Sequence, residues 1–151
     1  MRARIAARSE RAAVNRDSGL VWHFGGPDLP PRKGDDPAHV FGRTLSTVAI
    51  HDGLVIAPDL VGYVHCLDAR TGTRYWTYDT REMIVASPLI ADGKVFVATM
   101  DGAVHVLALS REEKLLARNE FDEPICAAPV FANGVLYVVA WSKLFAIKAG
   151  K

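Results

Sequence analysis

An all-β fold is expected from this sequence: a partial β-propeller of about two to three four-stranded antiparallel blades in an open ring. Three observations predict it. Short apolar runs recur with a period of about 40 residues. An Asp-Gly or Asn-Gly corner falls at the same place in every unit. The runs are nearly continuous rather than alternating, which suits strands buried on both faces of stacked sheets.

The recurrence is read directly. Ser46-Thr-Val-Ala-Ile-His-Asp-Gly53 is echoed by Ser87-Pro-Leu-Ile-Ala-Asp-Gly93 and by Ala128-Pro-Val-Phe-Ala-Asn-Gly134. Gly53, Gly93 and Gly134 lie 40 and 41 residues apart. Each marks a two-residue hairpin, because both corner residues must take positive φ. The first strands are expected at 46–50, 87–91 and 127–132, and the second at 54–57, 94–99 and 135–140. A third set, at 62–67, 102–109 and 143–148, opens on Gly62-Tyr-Val-His, Gly102-Ala-Val-His and Ser142-Lys-Leu-Phe.

A fourth strand is expected at 73–78 after Thr71-Gly72. In the next unit the corresponding stretch carries Glu112, Glu113, Lys114, Arg118 and Glu120. Charge on an outermost strand discourages edge-to-edge pairing. Asp17-Ser-Gly-Leu-Val-Trp22-His-Phe has the same pattern with one residue deleted, so it reads as the outer strand of a preceding blade. The organisation expected is a basic extension over 1–16, an orphan outer strand and Pro/Gly-rich loop over 17–45, and blades over 46–151 (46–86, 87–126 and 127–148). Propellers need four to eight blades, so the chain reads as the C-terminal part of a larger one.

Composition narrows the function classes. The 18 basic residues nearly balance the 17 acidic ones, so neither nucleic acid nor a membrane surface is an expected partner. No apolar stretch reaches the length of a membrane helix. The basic run Arg2, Arg4, Arg8, Arg11, Arg16 has no apolar segment of secretory type behind it. Cys66 and Cys126 are too few for a disulfide framework. No catalytic constellation is visible.

The segment Cys66-Leu-Asp68-Ala-Arg-Thr71-Gly72-Thr-Arg-Tyr-Trp76 resembles the Ala-Leu-Asp-x-x-Thr-Gly-x-x-x-Trp repeat of the pyrroloquinoline-quinone-type (PQQ-like) propellers. Ser87-Pro88 and Ala128-Pro129 resemble its opening. The likeness covers about 46–148 and weakens in the second unit, where Ala108 and Glu112 replace the Asp and Gly. That superfamily includes quinoprotein dehydrogenases and cofactor-free, BamB-like outer-membrane assembly factors. The resemblance implies that Trp22 and Trp76 dock against the next blade. It also implies a periplasmic or secreted location.

The remaining candidates are read residue by residue. His65 and His105 share one repeat position, held by Phe145 in the third unit. Neighbouring sheets stand about 10 Å apart, too far to share a metal ion with ligands at about 2 Å; aromatic packing is the better reading. Asp68, with Thr71 and Gly72, is a turn device. Cys66 acts as a small buried hydrophobe. The Gly25–Phe41 stretch holds four prolines and three glycines and makes the first blade connection 13 residues longer than the next. Such a composition is expected to form neither helix nor central strand.

The function expected is a non-catalytic scaffold for protein–protein interaction. Trp141, with His39 and Phe41, is the expected contact group on the rim that carries the blade connections. Its partner would be another protein, the missing blades or a second copy. No catalytic, cofactor or metal residue is assigned. The alternative is a piece of a PQQ-dependent quinoprotein dehydrogenase, and only there would PQQ and calcium enter.

Overall fold

The computed structural model describes residues 19–25 and 41–148. Among them every regular element is a strand. The first blade is β1 (Ala49–His51), β2 (Leu54–Pro58), β3 (Tyr63–Asp68) and β4 (Arg74–Asp79). The second is β5 (Leu89–Ala91), β6 (Lys94–Ala98), β7 (Ala103–Ala108) and β8 (Leu115–Glu120). The third holds β9 (Val130–Ala132), β10 (Val135–Val139) and β11 (Leu144–Lys148). Each blade is an antiparallel meander in chain order.

Corner chemistry sets the register. Asp52 and Gly53 have φ of 49° and 73°, Asp92 and Gly93 52° and 66°, and Asn133 and Gly134 52° and 74°. Positive φ at both positions turns the chain with the twist of the strands it joins. The pairs flanking the corners are His51 with Leu54, Ala91 with Lys94, and Ala132 with Val135. The first two blades also share a bulge, after Cys66 in β3 and after Val106 in β7.

The strands differ from expectation in three places. Each first strand has only three residues. The residues leading into it bond sideways instead: Ser46 Oγ donates to Ala86 O at 2.9 Å, and the Thr47 amide to Ser87 Oγ at 3.0 Å. Pro88 and Pro129 have no N–H to give. Glu112, Glu113 and Lys114 precede β8, where Ser110 Oγ turns back to Glu112 O at 2.6 Å; only Arg118 and Glu120 of the expected charges lie on the strand. Residues 19–25 form no strand.

The blades pack face to face. Leu54, Ile56, Val64, Cys66 and Trp76 of the first meet Val95, Val97 and Leu107 of the second, sealed by Ile84 from the connection. Ala98, Val104 and Val106 then meet Val138 and Ala140 of the third, sealed by Ile125. These faces explain the continuous apolar runs: odd and even residues both enter a core. The short strands β1, β5 and β9 follow one another along the inner edge, and β9 does not return to β1. The blades form an open arc.

Candidate functional site

The rim carrying the blade connections is where polar groups converge. It is built from the β2–β3, β6–β7 and β10–β11 turns and the connections that follow β4 and β8. Backbone bonds repeat along it. The Leu60 amide donates to Arg43 O, Met100 to Met83 O and Trp141 to Pro124 O, at 2.8, 2.8 and 3.0 Å. The Thr80 amide donates to Gly62 O and Phe121 to Gly102 O, at 2.9 and 2.7 Å. A side chain at Gly62 would stand 2.5 Å from Glu82 O. Glycine is therefore required where connection and turn touch.

Beneath this rim lie the two histidines, 1% and 2% exposed. His65 meets Phe24 and Phe41 edge-on at 5.3 and 5.4 Å. His105 meets Tyr78 likewise at 5.6 Å. The aromatic environment matches the sequence reading, but a carboxylate accompanies each ring. His65 Nε2 stands 3.6 Å from Asp59 Oδ2, and His105 Nε2 stands 3.4 Å from Glu82 Oε2. Asp59 comes from the turn of its own blade, whereas Glu82 comes from the connection. Thr99 holds the turn position in the second blade and donates its hydroxyl to Glu82 at 2.5 Å.

Both carboxylates are fully engaged. Asp59 Oδ1 accepts the Val61, Gly62 and Tyr63 amides at 3.1, 3.0 and 3.0 Å. Burial opposes its charge, yet His65 and the amides outweigh burial and hold the carboxyl below its ordinary range. Glu82 is treated the same way: burial raises it, and Thr99, Arg118 and His105 together bring it lower. Burial in turn pushes His105 below the ordinary histidine value, only partly offset by Glu82. A neutral ring gives one consistent assignment. Nε2–H faces Glu82, and Nδ1 accepts the Tyr78 hydroxyl at 3.0 Å.

The third blade loses the set together. Phe145 replaces histidine and stacks edge-on against Phe121 at 5.0 Å. Ala140 stands at the turn position. Glu123, the counterpart of Glu82, turns outward to the Ser142 amide and hydroxyl at 2.7 and 2.6 Å.

Trp141 is 76% exposed. Only its backbone is tied into the rim, and beside it Cys126, Ala127, Val139 and Ala140 line a shallow apolar depression. Phe41 is half-buried against Phe24 and His65. His39 lies outside the described residues.

The opposite rim carries the tryptophan docks. Trp22 Nε1 donates to Ala69 O at 3.0 Å, and Trp76 Nε1 to Ser110 O at 2.9 Å. Each acceptor lies just past the third strand of the adjoining blade, Ala69 one residue and Ser110 two residues after its end. The Trp22 ring lies so close over Gly72 that a Cβ there would meet it at 2.6 Å. Asp68 caps its turn, accepting the Arg70 and Thr71 amides, each at 2.9 Å. The Tyr75 hydroxyl and these bonds bring its pKa down to about 2. Burial raises the Cys66 thiol to about 11. Among the described residues no group of three His, Cys, Asp or Glu side chains comes together to hold a metal ion.

Stacked four-stranded meanders, a forty-residue repeat and indoles docked blade to blade define a β-propeller of PQQ-like type. The chain belongs to the family described as outer membrane protein assembly factor BamB, whose model matches residues 8–116. The crystal structure of BamB from Moraxella catarrhalis superposes with a TM-score of 0.61 at 25% identity, over 70% of this chain and 33% of that one. The chain is also 26% identical over 139 residues to a 1-butanol dehydrogenase (cytochrome c) of Thauera butanivorans, covering 82% of this chain and 18% of the relative. It is 25% identical over 122 residues to the quinohemoprotein alcohol dehydrogenase of Comamonas testosteroni, covering 74% and 16%. The structure of that enzyme gives a TM-score of 0.55 at 24% identity, over 64% of this chain and 17% of that one. The chain thus spans less than a fifth of either dehydrogenase. No helix of the described residues is long and apolar enough to cross a membrane.

Proposed function

We propose that this chain is a non-catalytic propeller segment that binds protein partners through its connection rim, in the manner implied by its family: outer-membrane protein assembly, on the periplasmic side. The observation that carries this reading is Trp141. A large aromatic ring held on a backbone-anchored turn and left in water makes a good binding anchor, because its area is buried only when a partner arrives. The groups beneath it support the same reading. In the first two blades Asp59 holds the turn amides, Glu82 holds Thr99, Arg118 and His105, and the two rings bond to Thr77 and Tyr78, so these groups brace the rim.

The test is calorimetric titration of the purified chain with purified components of the outer-membrane barrel-assembly machinery. Binding that weakens by about tenfold or more in Trp141→Ala supports the proposal, since hot-spot truncations have at least that effect. Binding indifferent to Trp141→Ala, or no binding, contradicts it.

The two dehydrogenase relatives favour one other reading: a segment of a quinoprotein dehydrogenase. Under it, quinone and calcium would be held with parts of the ring beyond the described residues. Alcohol-dependent dye reduction after loading with PQQ and calcium would favour this reading over the scaffold.

A further inference from the structure

Trp76 fills the junction between the first and second blades and is 6% exposed. It packs among Ile56, Val95 and Leu107. In β4 it stands opposite Cys66, just before the shared bulge. The residue opposite Val106, at the same point of β8, is Ala117. The second junction therefore lacks the indole that closes the first.

A groove of about 390 Å³ lies there, lined by Phe96, Leu136, Ile147, Lys94 and Asn119 among others. Phe96, Leu136 and Ile147 are the counterparts, one repeat on, of Ile56, Val95 and Leu107. The groove adjoins the packed interface of the second and third blades, because Phe96 and Leu136 also pack against the core that holds Val138 and Ala140. Its walls are thus the walls of a tryptophan dock without the tryptophan. The volume suits one small organic group.

We infer that this groove is a docking site for a tryptophan side chain carried by an extended segment of a partner protein. The occupied docks show the chemistry: an apolar slot for the ring, and an acceptor for its N–H. Asn119 supplies a polar group on the wall that can accept such a bond. Phe131 and Ile147 stay partly exposed along the mouth, at 42% and 38%, so the slot is open lengthwise. A bound segment gains further contacts there that a free ring cannot. Lys94 and Asp92, paired at 2.8 Å, flank the entrance. The inference deepens the scaffold reading and rests on it, at a groove that Trp141 does not line.

The test is an NMR titration of the whole chain, following the Ile147 methyl and Asn119 side-chain signals. The probes are a peptide copying residues 72–79, the same peptide with alanine in place of its tryptophan, and N-acetyl-tryptophanamide. The tryptophan peptide is expected to shift the groove signals and to bind about tenfold more tightly than either other probe. Ala117→Trp, which puts an indole at the place Trp76 holds in the first junction, and Ile147→Glu, which spoils the groove wall, should each abolish the shifts. Absent shifts overturn the inference, as do shifts that persist in Ala117→Trp. Equal binding of N-acetyl-tryptophanamide makes this a small-molecule site and also overturns it. The groove signals are read independently of Trp141, so failure here is distinct from failure of the rim-binding reading.

Discussion

His105 Nε2 lies 3.4 Å from Glu82 Oε2, across the junction between the first and second blades. The pair links the connection that leaves one blade to the central strand of the next. Arg118 also pairs with Glu82, from β8. One carboxylate thus holds a connection, a buried strand and an outer strand together. All these partners favour its ionised form.

This pair makes stability sensitive to acid. Burial lowers the His105 pKa below its ordinary 6.5. Between the two values the unfolded chain binds more protons than the folded one, so stability rises with pH through that window and falls on acidification. Glu82 and Asp59 are likewise lowered from 4.5 and 3.8. Their contribution is present above those values and is lost as pH falls through the folded ones. Urea unfolding across pH should show two declining stretches. His105→Phe, which installs the third blade's residue, should shrink the upper one and leave most of the lower, which Asp59 and the Thr99 and Arg118 bonds to Glu82 still carry.

The three tryptophans should separate cleanly in stability. Trp76→Ala removes a buried ring from a core and should cost about 3–5 kcal/mol. Trp22→Ala exposes Gly72 and frees the Ala69 carbonyl, a loss of about 2 kcal/mol. Trp141→Ala should stay within about 0.5 kcal/mol of the parent. Denaturant midpoints with unchanged slopes check the series.

Gly62→Ala should destabilise by about 1–3 kcal/mol, the range for strained backbone. Its φ is 122°, and the added methyl would meet Glu82 O at 2.5 Å. Gly134→Ala has open space around it, so its cost should come from positive φ alone. Thermal unfolding of the two variants should rank Gly62→Ala lower.

Cys126 is exposed and Cys66 buried. With its thiol pushed to about 11, Cys66 holds almost no thiolate at neutral pH. A thiol reagent should modify one cysteine in the native protein and two in urea, with peptide mapping placing the native label on Cys126.

Much of this architecture was legible because single residues specify it locally. Asp52-Gly53, Asp92-Gly93 and Asn133-Gly134 fix the hairpins through φ alone, and Trp76 after Thr71-Gly72 marks its dock. Phe145 at the histidine position points to aromatic packing, and both rings have it. Their carboxylates were missed for a physical reason. Asp59 and Glu82 occupy different repeat positions, and each meets its ring only once turn and connection have folded together. The one available signal was joint loss: Ala140 and Phe145 replace carboxylate-position and histidine in the same unit. The groove between the second and third blades was equally hidden, because the register that equates Ala117 with Trp76 depends on the bulges after Cys66 and Val106.

Hydrogen exchange at the three indole N–H groups tests the blade stacking most directly. Trp22 and Trp76 donate to the Ala69 and Ser110 carbonyls of the adjoining blade, whereas Trp141 stands in solvent. The account predicts slow exchange at Trp76, intermediate exchange at Trp22 and fast exchange at Trp141. A Trp76 indole that exchanges as fast as that of Trp141 would contradict it.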